Sequence, residues 1–400
     1  MKILLVHHSS MIGGGTISAL DVVKMLRMLG HQVVLAVPQE SDILKSTCLS
    51  LNVELNVVGP PPLFTYHSAS TNAFKCVCKY FVSYSKQRKY WHCYLKELAP
   101  DLVVLNSVTQ APIIHILKKL GIKTICTIRE TFRASGFWIV NYTLRKMVSE
   151  ADAALFLTDF DKSQWATRNT VQKVLPDVVD DERYVKHSEA QIQNFRNTHG
   201  LSRNTQYMLY LGGIAYAKGA KDLLEAYNLL ESKNSNVGLI LIGNLHKEKS
   251  STLSRILHYK EIKYRKDCRS IIQTLKGKKY PVIEVGLVSD TSYWYEVASA
   301  VIFPVKMVHQ PRPAYEAGYY KKPVILPAYD NFKEYLINGK NGLIYEINDI
   351  SSLAEKMYTL VSCSDMAGEM GCINYEMYKK THSFGVGLKV LKDVLDNLRS

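Results

Sequence analysis

The sequence predicts an α/β protein built from two doubly wound domains. Three observations lead there. The chain has 400 residues, beyond the roughly 250–300 residues at which a single core stops growing. Short apolar runs of strand length alternate along it with segments of helical period, the pattern of a parallel sheet covered on both faces. The composition, 47% apolar and 22% charged, is that of a soluble globular protein, and no apolar run approaches the roughly 18 residues needed to cross a bilayer.

The elements follow in order. "KILLVHH" is an apolar strand that turns polar at its end, too soon for a secretory signal. "SSMIGGG" is a loop. Ala19, Val22, Val23 and Leu26 then fall at i, i+3, i+4 and i+7, one face of a helix that Gly30 stops. "HQVVLAVP", "DLVVLNS", "KTICTIRE" and "AALFLTD" continue the strand series. A second series opens at "YMLYLGG", followed by the helical stripe Leu223, Ala226, Tyr227 and Leu230. "VGLILIGN", "PVIEVG", "SAVIFPV" and "KPVILP" are its later strands. Between the series, Asp181 to Asn204 is polar and charged, so the boundary belongs there. The expected domains are residues 1–185 and 186–379. A last helix, within about residues 380–400, is expected to pack back on the first domain.

Eight cysteines are scattered without metal-ligand spacing. Cys76 and Cys78 sit two apart, but no second pair follows. They read as reduced thiols of a cytosolic protein, with no metal site. The formal net charge of +14 suits nucleic acid, an anionic membrane or phosphate-bearing ligands. From Lys247 to Lys279 there are eleven Lys or Arg against three acids, or +8 of that total. Leu253, Ile256, Leu257, Tyr259, Ile262 and Tyr264 are interleaved with them. "FKCVCKYFVSYSKQRKYW" mixes Lys75, Lys79, Lys86, Arg88 and Lys89 with aromatics. Such segments suit a peripheral membrane helix; they suit equally two solvated helix faces. No nucleic-acid recognition motif is present, so nucleic acid is not an expected partner.

Three strand-end loops carry candidate chemistry, since doubly wound sheets bind ligands at the carboxyl ends of their strands. Gly13-Gly14-Gly15 would let backbone N–H groups approach an anion at a helix start. The spacing is not G-x-G-x-x-G and no ribose-binding acid follows, so a dinucleotide cofactor is not expected. In "LGGIAYAKGAKDLLEA", Lys218 opens a helix, where ammonium and helix dipole together suit a phosphate; a plain surface lysine fits as well. In "HQPRPAYEAGYYKKPVILP", Pro313 suits a first helical turn and Glu316 lies one turn in. A carboxylate there can accept two hydroxyl hydrogen bonds, as from a ribose diol, or simply answer the helix dipole. Arg129 could meet an anionic group or pair with its neighbour Glu130. His7 and His8 read as packing residues.

The ordered set "YLGGIAYAKGAKDLLEAYNLL", "LILIGN", "VIEVGLVSDTSYWYEVASAVIFPV", "RPAYEAGYYKKPVI" and "NGLIYE" resembles the donor domain of the retaining glycosyltransferases of family 4, which have the GT-B fold. The first half is similar more loosely. The resemblance implies two Rossmann-like domains facing each other across a cleft. It implies sugar transfer with retention from a nucleotide-diphosphate sugar, a UDP-sugar before a GDP-sugar, to a glycan or lipid-linked acceptor, with no further cofactor. Lys218 would contact the donor diphosphate and Glu316 the ribose. Gly286 and Leu287 would line the base, and Gly14 and Gly15 would face the diphosphate and sugar. Two positions depart from the pattern. Gly213 stands where the family often has arginine, and Val308 where the first of two glutamates eight apart belongs. His309, Gln310 or Arg312 would then take over the sugar-binding work. A nucleotide-sugar epimerase of the same fold, needing no acceptor, and a basic nucleic-acid binder are the competing readings.

Overall fold

Strands buried on both faces need near-continuous apolar runs, and β1 (Lys2–Val6) is one, buried from Ile3 onward. In this computed structural model, residues 1–9, 13–59, 73–131, 138–165, 171–231, 236–245, 259–276 and 281–399 are described. The chain forms two units, Met1–Val178 with Phe384–Ser400, and Val179–Ser383.

In the first unit, β1 is joined by β2 (Gln32–Val37), β3 (Glu54–Val57), β4 (Leu102–Asn106), β5 (Lys123–Ile128), β6 (Ala153–Phe156) and β7 (Val171–Val174). Their order is β3-β2-β1-β4-β5-β6-β7, and all pairs are parallel. Leu4 pairs with Val34 on one side and Val103 on the other. The helix Gly14–Met28 buries Ala19, Val22, Val23 and Leu26, as its period requires. Phe384, Leu391, Val394 and Leu395 of the helix Phe384–Arg399 join the same core as Ile3, Leu5 and Leu35. Gly387 permits this close approach, since a Cβ there would lie 2.6 Å from Val178 Cγ1.

The second unit holds β8 (Gln206–Leu211), β9 (Val237–Ile242), β10 (Val282–Gly286), β11 (Ala298–Ile302), β12 (Val324–Pro327) and β13 (Gly342–Tyr345). Their order is β10-β9-β8-β11-β12-β13, again all parallel. Both sheets therefore reverse direction once, beside their first strands: between β1 and β4, and between β8 and β11. At such a switch point the following loops diverge to opposite faces and leave room for a ligand.

The division falls at Val178/Val179 rather than 185/186, and the second unit runs to Ser383 rather than 379. Hydrogen bonding and packing account for the shift. The Val179 N–H donates to the His382 carbonyl at 2.9 Å, and Tyr184 belongs to the second core. His382 in turn stacks on Tyr315, ring centroids 3.5 Å apart.

Candidate functional site

The second unit's switch point is assembled from two loops. After β8, Gly212 lies over the Tyr210 hydroxyl, where a Cβ would come within 2.2 Å. That hydroxyl lies 2.9 Å from the Gly213 carbonyl and 3.1 Å from the Lys218 carbonyl, so one buried phenol ties both ends of the lysine loop. Gly213 takes φ +59°, and a Cβ there would meet the Asn244 backbone nitrogen at 2.7 Å. The arginine that the resembled family often carries does not fit this backbone. Gly219 has φ +70°, and its Cβ would fall 1.7 Å from the Pro304 carbonyl oxygen. The loop after β11 closes the clamp: Lys306 N–H donates to the Ala217 carbonyl at 3.1 Å, and Lys306 Nζ meets Asp222 at 2.9 Å.

This clamp brings Lys218 Nζ to 2.7 Å from His309 Nε2. Lys218 is desolvated there, which lowers its pKa to about 8. Desolvation, then the neighbouring ammonium, pushes His309 down to about 3. At neutral pH the pair carries a single positive charge, on the lysine. Asp222, the acid nearest to Lys218 in the sequence, is already engaged by Lys306. Among the described residues no carboxylate pairs with Lys218 Nζ, and a half-buried cation so placed suits an anion.

Glu316 is placed differently from its expected role. It sits in the helix Arg312–Tyr319, 6% exposed. Tyr184 Oη donates to Oε1 at 2.5 Å, Tyr295 Oη to Oε2 at 2.5 Å, and Arg312 Nε to Oε1 at 3.0 Å. Burial, then the carboxylate itself, raises both phenol pKa values well above 10, so both act as donors. The sequence shows no structural partner for Glu316; the structure supplies three. Arg312, a candidate donor-binding residue, is likewise buried and turned onto Glu316. No local pattern could have linked Tyr184 to a residue 132 positions away.

Gly286 has φ +83°, and its carbonyl accepts from Gly243 N–H at 2.8 Å. This leaves the next side chain, Leu287, 79% exposed at the carboxyl end of β10.

In the first unit, Gly14 and Gly15 are exposed at the start of the helix Gly14–Met28, whose N-cap Gly13 offers no side chain. The Gly15 carbonyl accepts from Asn106 Nδ2 at 3.2 Å. His7 lies between Asn106 and Thr16, 3.1 Å from each. Because the Asn106 amide donates to Nδ1, the proton sits on Nε2. Burial holds the His7 pKa down at about 3. Arg129 does not pair with Glu130. Its Nη2 meets Asp177 at 2.7 Å and its Nη1 meets Ser18 at 2.5 Å. The Glu130 carboxylate instead accepts from Ser107 Oγ and from the Val108 and Arg129 N–H groups.

The basic segments are partly visible. On the helix Tyr259–Lys276, Tyr264, Cys268, Ile272 and Leu275 face inward while Lys260, Lys263 and Lys266 are exposed. Arg265 pairs with Glu261, and Arg269 and Lys276 with Glu284. Lys247, Lys249, Arg255, Lys278 and Lys279, with Leu253, Ile256 and Leu257, lie outside the described residues. On the helix Ala73–Leu98, Trp91 and Leu95 are buried, whereas Phe81 is 63% and Val82 55% exposed. Lys86, Arg88 and Lys89 are exposed beside them; the side chains of Lys75 and Lys79 are outside those described. Among the described residues no helix is long and apolar enough to cross a membrane. Among them no group of three or more His, Cys, Asp or Glu could hold a metal.

Comparison with known proteins adds to this geometry. Residues 191–377, within the second unit, match the family Glycosyl transferases group 1. The chain is 25% identical over 173 residues to the capsular polysaccharide biosynthesis glycosyltransferase CapM of Staphylococcus aureus. That match spans 43% of this chain and 41% of CapM. Among solved structures, Anabaena Alr3699/HepE in complex with UDP and glucose superposes with a TM-score of 0.78 at 16% identity, covering 99% of both chains. A glycosyltransferase from Rickettsia africae ESF-5 gives 0.75 at 17% identity, also over 99% of each chain. The lipopolysaccharide glycosyltransferase WaaG gives 0.65 at 15% identity, over 98% of this chain and 99% of its own. The shared fold is GT-B.

Proposed function

We propose that this chain, whose residues 191–377 match the family Glycosyl transferases group 1, is a nucleotide-sugar-dependent glycosyltransferase of surface-polysaccharide assembly. The observation that carries the reading is Lys218. Its ammonium is desolvated at the switch point between β8 and β11, where it meets the neutral His309 imidazole and the Phe303 ring. A donor diphosphate is the anion that a group 1 domain would bring there. CapM, a capsular polysaccharide glycosyltransferase, supports the polysaccharide setting. HepE, solved with UDP and glucose, supports a UDP-sugar over a GDP-sugar. The donor is the co-substrate, and no separate cofactor is assigned.

In the proposed reaction the bond from the anomeric carbon to the diphosphate breaks through an oxocarbenium-like state. Charge grows on the departing diphosphate, where Lys218 stabilises it most. The departing phosphate oxygen takes the acceptor hydroxyl's proton, and the acceptor enters on the face the diphosphate leaves, so configuration is retained. Gly14 and Gly15 are proposed to face the diphosphate and sugar, and Gly286 and Leu287 the base. Glu316 is assigned as a buttress that fixes the helix behind His309 and Gln310, rather than as the ribose ligand.

The acceptor is proposed to be a glycan or a lipid-linked glycan. Phe81 and Val82, exposed beside Lys86, Arg88 and Lys89, support peripheral contact with an anionic membrane face. A thermal-shift screen against nucleotide sugars tests the whole reading, because a bound donor raises the melting temperature by mass action. UDP-sugars are expected to stabilise the protein; a flat response to every nucleotide sugar would defeat it. The anomeric configuration of the product, read by NMR, tests retention.

A further inference from the structure

Lys218 and His309 form an unusual ion-site pair, because the partner of the ammonium carries no charge. An ammonium can only donate, so at 2.7 Å His309 Nε2 must be the acceptor. His309 Nδ1 lies 2.9 Å from the Met307 carbonyl, a contact that requires a proton on Nδ1. Both contacts together fix one neutral tautomer, with its Nε2 lone pair aimed at the lysine. Phe303 backs the pair: its ring centroid is 5.1 Å from that of His309 and 5.4 Å from Lys218 Nζ. The clamp of Gly219 on Pro304 and of Lys306 on Ala217 keeps the two loops in this register. The charged groups these loops also carry, Lys306 and Asp222, meet each other at 2.9 Å.

We propose that His309 is a positioning residue for the donor diphosphate, a neutral anchor that fixes Lys218 without cancelling its charge. This rests on the reading of Lys218 as the diphosphate contact. A carboxylate in the same place would hold the lysine as well, but it would bring the local charge to zero and repel the phosphates. The neutral ring keeps a net positive charge on the site. Val308, immediately before His309, adds no carboxylate of its own. The low pKa of His309, about 3, keeps the ring neutral across the physiological range.

The test is calorimetric titration of inorganic pyrophosphate and of UDP into wild type, His309→Gln, His309→Leu and His309→Glu from pH 6.5 to 9. Melting temperatures are recorded for each variant. Glutamine can still accept from the lysine, so His309→Gln should stay within about threefold of wild type with the same pH profile. His309→Glu should lose about tenfold or more at pH 7 for both probes. His309→Leu, which frees the ammonium, should lose several-fold. A leucine variant that fails to fold leaves the glutamine and glutamate variants to decide. If folded His309→Glu binds pyrophosphate as wild type does, the anchor idea is overturned while the donor reading stands. If wild type binds neither pyrophosphate nor UDP, the donor reading falls and takes the anchor with it.

Discussion

The Tyr184 hydroxyl donates to the Glu316 carboxylate at 2.5 Å, tying the segment that enters the second unit to the helix beneath its candidate site. With Tyr295 and Arg312 it makes Glu316 a buried node with three donors. Glu316→Ala should therefore act first on stability. Breaking a buried charged pair by removing one partner costs about 3–5 kcal/mol. Glu316→Gln, which keeps an acceptor, should cost less. Urea denaturation with nucleotide binding as a second readout checks this. A stable Glu316→Ala protein that has lost only nucleotide affinity would restore the ribose role.

Lys218→Met should do the reverse. It removes an ammonium that the fold desolvates, so the ligand-free protein should melt no lower than wild type, and higher below pH 8. Turnover and diphosphate affinity should drop by about tenfold or more, since charge-assisted bonds to phosphate are among the strongest polar contacts. Comparison of melting temperature with single-turnover rate separates the two effects. Undiminished turnover would remove Lys218 from the proposed chemistry.

Stability of the ligand-free protein should climb from about pH 8 to 9, above which the buried thiols of Cys48, Cys126 and Cys268, raised by desolvation, oppose the rise. Desolvation lowers Lys218 and Lys322 from 10.5 to about 8. From about pH 8 to 9 the unfolded chain binds more protons than the folded one, so raising pH favours folding. On the acid side His7 and His309 are held at about 3 against an ordinary 6.5. The same sign applies, and stability is lost as pH falls from 6.5 toward 3. Melting temperatures across pH 3–10 should show both slopes. Lys218→Met should flatten the alkaline one in part, with Lys322 providing the remainder.

Gly219→Ala should damage the site through its backbone. The residue holds φ +70°, and the new Cβ would fall within 1.7 Å of the Pro304 carbonyl oxygen, so the two loops must part. A cost of about 1–3 kcal/mol is expected from the strained backbone alone. Pyrophosphate affinity should fall with it. Gly286→Ala, where a Cβ meets nothing within 4 Å, is the control for left-handed backbone without crowding.

If the helix Ala73–Leu98 meets a membrane, the protein should float with anionic liposomes at low salt and release at high salt. Phe81→Asp with Val82→Asp should abolish flotation and leave the fold intact, because both side chains point to solvent. Equal flotation with neutral liposomes, or none at all, would remove the membrane from the proposal.

The central strands were legible because they are buried on both faces. KILLV, VGLILI and their like are apolar at successive positions, and no other element of that length reads so. The edges were not. Glu54–Val57 and Val171–Val174 lie at the two ends of the first sheet and carry polar residues toward solvent, so no apolar run announces them. The glycine and lysine loops were legible as places, because strand ends and helix starts leave a local signature. Their internal wiring was not. Glu316 finds Tyr184 and Tyr295, and Arg129 finds Asp177, across distances in sequence that periodicity cannot reach.

The helix Phe384–Arg399 has a consequence for how the protein comes into being. It is made after the whole of the second unit, yet it completes the first unit's core. During translation, the sheet face bearing Ile3, Leu5 and Leu35, packed early by Ala19, Val22 and Leu26, must therefore wait for the rest of its cover while some two hundred residues between Val179 and Ser383 emerge. A nascent chain in that condition is a natural client for a chaperone. A stop codon near residue 383 would spare every residue of the lysine site and still leave the first unit unfinished.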